Sequence, residues 1–437
     1  MNLRATSKSS RERLEQALAR IADPAGEGKR ACLTVYAEAA RAAADAADAR
    51  AKAGQPLGAL DGVIVSIKDL FDVAGEVTRA GSRVLAGEGR IAESDAAVVK
   101  RLRDAGAVIV AKTNMSEFAF SGVGANPHYG TPGNPLDRAR VPGGSTSGGA
   151  VAVADGMCEI TIGTDTGGST RIPAALCGIV GFKPSKQRVP TDGAFPLSYT
   201  LDSIGPMAKT VADCALADAV LAGEKPGAME PAPLSGLRFG IWRGMPFEGI
   251  DETVSAAWSA AVARLEKAGV RFSDETLTLL DDMAEVNAKG GFSPAESYAI
   301  HRERLQREGD GVDPNIRVRI ERGASISAAD YVDMVQDRRR LVRAMDERLA
   351  PFDALVLPTT AIIAPTMAEV AKPDDFGRKN AMLLRNTAPI NFFDLCAISL
   401  PLPPRNGLSA GLMLVARNGA DAKLFRIAAA VESALKD

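Results

Sequence analysis

Apolar residues recur along this chain with two periods. From Val63 to Ile67 they form an almost unbroken β-branched run, GVIVSIK to Lys68, the pattern of a strand buried on both faces of a parallel sheet. Helical spacing lies on either side. Leu14, Leu18 and Ile21 fall on one face of a first helix with Ser10 as its cap, and the alanine-rich stretch from Val35 to Ala53 reads as a second. Ala97, Val98, Arg101 and Leu102 share one side of a helix that runs to Asp104, with Ser94 or Asp95 as cap and Gly106 as stop. Ala107 to Ala111 then reads as a strand. This alternation predicts an α/β fold, a mixed and mainly parallel sheet covered by helices.

Further on, Thr146 to Ala154 is a helix of small residues able to pack closely on the sheet, and Met157 to Thr164 a strand. The segment Gly223 to Gly236 holds three prolines, which suits a surface connection. Beyond it come a strand from Leu237 to Trp242, a helix from Thr253 to Ala268 and a largely helical region from about 279 to 350. That region contains DRRRLVRAMDER, whose interleaved acids mark a solvated helix face, not a nucleic-acid patch. Strands from Asp353 to Pro358 and from Cys396 to Leu400, then a helix from Ala422 to Leu435, complete a single domain spanning 1–437.

Composition narrows the classes. With 437 residues, 46% apolar and 24% charged, the chain has ample core, and its net charge of −2 gives no general attraction to nucleic acid or acidic membranes. No apolar run reaches bilayer length, and MNLRATSKSSRERLEQ lacks the apolar centre of a signal peptide. The five cysteines are widely spaced, odd in number and without a CxxC. They predict buried thiols in a reducing cytoplasm, with no disulfide framework and no metal site.

The chemistry concentrates between Val141 and Pro173, where GGSTSGG and TDTGGST bracket a helix and a strand. A phosphate loop of the GxxxxGKS/T kind needs a lysine that neither cluster has, and no GxGxxG joins a strand to a helix here. Acyl chemistry remains: a serine in a glycine turn attacks a carbonyl while adjacent backbone N–H groups hold the oxyanion. The serine needs a base. The only histidines are His128, in the turn NPHYG, and His301, at the head of HRERLQRE, which reads as an exposed helix. Lys68 is the other candidate. An ordinary lysine titrates at about 10.4, so a base working near neutrality requires burial, which the end of an apolar strand supplies.

GVIVSIKDLFDVAG, AKTNMSEFAFSG, PGGSTSGGA, GTDTGGSTRIPA and CGIVGFKPS, in this order from about 58 to 220, resemble the amidase signature hydrolases. The two motif serines stand 24 residues apart, as in that family. The resemblance implies Ser169 as nucleophile, Ser145 as relay after a cis peptide from Gly144, and Lys68 as base. It implies an oxyanion hole from the N–H groups of Thr166, Gly167, Gly168 and Ser169, and no cofactor. The later strands look like the returning strands of the same fold, although Gly407 to Gly411 departs from the family's usual GLPVG-like turn.

Asn114, Glu117 and Phe118 follow a strand end, where α/β folds bind ligands, and with Gly144 they are candidates for substrate contact. Asp165 and Arg171 flank Ser169 and are expected to brace its turn by ion pairing. The expected activity is hydrolysis of an amide, urea-like or carbamate-like bond in a small molecule, in a catalytic core of about 58–222 with a pocket shaped by 279–350. The alternative is the glutaminase-type member of a transfer-RNA-dependent amidotransferase, which works with partner subunits. A homodimer is the common case for such an enzyme.

Overall fold

The protein, as a computed structural model, is described over residues 8–436; the stretch from Met1 to Ser7, part of the polar start of the chain, lies outside them. Eleven strands form one sheet among the described residues: β1 (Cys32–Val35), β2 (Ile64–Lys68), β3 (Val108–Thr113), β4 (Ile160–Asp165), β5 (Val180–Lys183), β6 (Ser203–Ala208), β7 (Arg238–Trp242), β8 (Arg271–Glu275), β9 (Ala354–Pro358), β10 (Cys396–Pro401) and β11 (Gly411–Ala416). Their order is β1-β3-β2-β4-β6-β5-β10-β11-β9-β7-β8.

β2 lies between β3 and β4, parallel to both, and β7 is parallel to β9 and β8. From β4 through β6, β5, β10 and β11 to β9, every neighbour is antiparallel, as is β1 on β3. The sheet is therefore mixed, and the mainly parallel expectation holds only on its two flanks. The antiparallel centre is hard to read because β5 is four residues long and β6, SIGPMA, carries Gly205 and Pro206 in place of an alternating pattern.

Local signals place most helices within a few residues and misplace two caps. The first helix, Ser10–Ala22, is capped by Ser9, whose hydroxyl accepts from the Glu12 N–H while the Glu12 carboxylate accepts from the Ser9 N–H. Ser10 is instead buried, its hydroxyl donating to the Gly62 carbonyl at 2.7 Å. The helix Ala97–Asp104 has neither Ser94 nor Asp95 as cap; its flanking residue is Ala96, and the Asp95 carboxylate binds the Ala74 N–H and Arg103. Leu14, Leu18 and Ile21 are buried as expected, each such side chain contributing about 1.5–3 kcal/mol.

The segment from 224 to 236 contains no regular element and joins the helix Val211–Ala222 to β7. It is fastened to the final helix, Asp421–Lys436, by the Ala232 N–H on the Arg426 carbonyl and the Arg426 guanidinium on the Glu230 carbonyl, both at 3.0 Å. It therefore connects two parts of one sheet. No helix of the described residues is long and apolar enough to cross a membrane.

Candidate active site

β2 and β4 run side by side in the same direction and end at the same edge, so Lys68 and Asp165 emerge together. Every residue of both strands is buried. Lys68 is wholly buried, and its Nζ donates to Ser145 Oγ at 2.7 Å and to Thr164 Oγ1 at 2.8 Å. Both partners are hydroxyls. With no carboxylate bound to it, the amine is drawn by burial down to about 7, against weaker opposing pulls from Asp202 and Asp165.

Ser145 enters through a cis peptide after Gly144 and is followed by the helix Ser147–Ala154. Gly148 lets that helix pack against the backbone just before β1 and just after β3: a Cβ there would meet the Ala31 carbonyl oxygen at 2.4 Å and the Asn114 nitrogen at 2.6 Å. The Ser145 carbonyl accepts from the Ser116 N–H at 3.0 Å, and the Thr146 N–H donates to the Ser169 carbonyl at 3.3 Å, so the two serine turns are tied by backbone. The Ser169 hydroxyl makes no hydrogen bond among the described residues, so the leg from Ser145 to Ser169 is not closed here.

The second turn is organised by Asp165. Its carboxylate accepts from the N–H groups of Gly168 (2.9 Å) and Thr170 (3.1 Å), the Thr170 hydroxyl (2.9 Å), Arg171 Nη2 (2.8 Å) and Nε (3.1 Å), and Asn391 Nδ2 (2.9 Å). Burial alone would raise this carboxyl, but the contacts, Arg171 foremost, outweigh it and hold the group well below the usual range. Arg171 is itself fully buried and also binds the Thr387 carbonyl and Asn391 Oδ1. Gly168 takes φ 131°, and a Cβ there would lie 2.2 Å from Thr387 Oγ1. The Gly168 N–H is committed to Asp165, whereas the N–H groups of Thr166, Gly167 and Ser169 have no acceptor among the described residues.

Thr166, Gly167 and Ser169 open into a cavity of about 320 Å³. Leu197, Phe292 and Phe392 are among its walls. Asn114, Glu117 and Phe118 are not. Asn114 Nδ2 is spent on the carbonyls of Arg30 and Gly130; the Glu117 carboxylate binds the Asp313 N–H and lies 3.0 Å from His128 Nε2; Phe118 packs on His301 and Phe195. Ala119, Phe120 and Ser121, directly after Phe118, reach the cavity instead. Gly144 is also behind the wall, its N–H on the Gly122 carbonyl.

His301 is fully buried, not exposed, its ring centre 4.1 Å from that of Phe118 in a tilted contact and its Nδ1 bonded to Arg304, and burial draws its pKa down to about 3. Neither histidine touches Ser145 or Ser169. Other residues of the site had no signal in the sequence: Asn391 and Thr387 reach the Ser169 turn from over 200 residues away, and Asp202 holds the Thr166 hydroxyl at 2.5 Å. Nothing in their local sequence marks them. All five cysteines are buried and free, and no three His, Cys, Asp or Glu among the described residues could hold a metal ion.

Comparison with known proteins agrees with this architecture. The family model Amidase matches residues 12–425, and the chain belongs to that family, within the amidase signature enzymes. It is an amidohydrolase, of a family that hydrolyses C–N bonds. It is 35% identical to 2-amino-5-chloromuconic acid deaminase of Comamonas testosteroni, over 90% of this chain and 86% of that one. It is 38% identical to a glutamyl-tRNA(Gln) amidotransferase subunit of Anaeromyxobacter dehalogenans, over 98% and 93%. A crystal structure of an amidase superposes with a TM-score of 0.86 at 32% identity, over 98% and 96%.

Proposed function

We propose that this chain hydrolyses a C–N bond of a small molecule through an acyl-enzyme on Ser169, with Ser145 and neutral Lys68 as the proton relay. The supporting observation is the buried Lys68 amine, bonded to Ser145 and to no carboxylate. Lys68 takes the Ser145 proton as Ser145 takes that of Ser169, so the nucleophile attacks without a free alkoxide. The oxyanion that forms is met by the N–H groups of Thr166, Gly167 and Ser169. The relay then runs in reverse to protonate the leaving amine, and water repeats the cycle on the ester. Substituting Ser169→Ala should lower amide turnover by on the order of 10⁴-fold or more, and Lys68→Met nearly as much, because members of a relay act as one unit. Full turnover by purified Ser169→Ala would refute the proposal.

A second reading draws on the amidotransferase relative, which aligns with nearly all of this chain. Under it the chain would release ammonia from glutamine for partner proteins. Glutamine hydrolysis that rises strongly on adding those partners supports it; brisk turnover of unrelated amides by the chain alone opposes it.

A further inference from the structure

The cavity that ends at Ser169 has two cationic side chains in its wall and no anionic one. Of the residues lining it, only Arg319 and Arg322 carry charge. Arg319 stands in the last turn of the helix Pro314–Glu321, its guanidinium carbon 4.6 Å from the centre of the Phe120 ring, another wall residue. Arg322 begins the short turn that follows. Among the described residues neither guanidinium is bonded to a carboxylate or to any other acceptor, and Arg319 Nε is buried without a partner.

Acids are available nearby and are used elsewhere. Arg317, on the same helix, pairs with both Asp310 and Glu321. Burial first, then the positive charge of Arg322, draws the Arg319 guanidinium down to about 10, so it remains cationic at neutral pH. A partly buried cation beside a second one, with no counter-ion, is costly. A ligand anion that entered between them would remove that cost through charge-assisted hydrogen bonds. With the Arg319 guanidinium over the Phe120 ring and its Nε buried, the two Nη groups are left without an acceptor among the described residues, a pair of donors that suits a planar carboxylate.

We propose that Arg319 and Arg322 form an anion-recognition end of the cavity and that the substrate is an amide bearing a carboxylate, held there while its carbonyl meets Ser169. This rests on Ser169 as nucleophile. The remaining walls, Leu197, Leu201, Met283, Phe292 and Phe392 among them, suit the apolar body of such a molecule.

The monoamides of succinic and glutaric acid, set against butanamide and pentanamide, isolate the carboxylate. The acids should be preferred at least tenfold in kcat/KM, mainly through KM. The preference should fall tenfold or more in Arg319→Gln and in Arg322→Gln, and recover in part in Arg319→Lys. Calorimetry on Ser169→Ala protein should show saturable binding of succinate or glutarate that is lost when Arg319→Gln is added. No preference for the acids, a preference that survives both arginine substitutions, or no saturable binding of either dicarboxylate overturns the proposal. Neutral amides turned over through Ser169 without preference would sink this inference alone; arginine-dependent dicarboxylate binding alongside full turnover by Ser169→Ala would sink the nucleophile assignment alone.

Discussion

The proposed chemistry turns on one amine kept neutral. Lys68 has only hydroxyl partners and no water-facing surface, and burial brings its pKa to about 7. Because the neutral form is the base, kcat/KM for a neutral amide should rise with pH through about 7 and level off above it; a profile flat from about pH 5.5 to 8.5 would rule Lys68 out. Lys68 stands out in the sequence as a candidate base because its signal is local, the end of an apolar strand, whereas the roles proposed for Ser145 and Ser169 rest on the resemblance of their glycine-framed turns to those of the amidase signature hydrolases. His301 is easily misjudged because charged HRERLQRE looks solvated, whereas its imidazole turns inward onto Phe118 and Phe195. Thr164 escapes notice as an ordinary β-branched strand residue, although it is the amine's second partner.

At the scale of elements, the Ser169 turn is held from behind by the Asp165–Arg171 pair and from the side by Thr387, whose hydroxyl donates to the Gly167 carbonyl at 2.6 Å. Arg171→Met would leave Asp165 buried and unpaired, which should cost about 3–5 kcal/mol of stability, read from urea denaturation. Gly168→Ala would drive a methyl into Thr387 and shift the turn. A displacement near 1 Å is worth about 10²-fold in rate, so kcat should fall at least that far in a protein that still melts cooperatively. The ion pair is foreseeable from Asp165 and Arg171 flanking Ser169. Thr387 and Asn391 are not, since contacts across more than 200 residues leave no periodicity to read. The short strands β5 and β6 escape for a different reason: glycine and proline within them resemble turns.

Over the whole molecule, one chain supplies both serine turns, the lysine, the backing from Asn391 and the helical wall that carries Arg319. Specific activity toward a small amide should therefore stay constant on dilution through the nanomolar range, and a fall would show that a second chain completes the site. The α/β class, the closing helix and the helical region near the pocket are legible because long periodic segments carry them; the antiparallel centre of the sheet is not. The most direct measurement of the central claim is the rate at which a fluorophosphonate labels the protein as pH is varied, with the adduct located by peptide mass. The account predicts a single adduct on Ser169, forming at a rate that climbs through about pH 7 and is lost in Lys68→Met; labelling elsewhere, or labelling of Ser169 at a rate indifferent to both pH and Lys68, would contradict it.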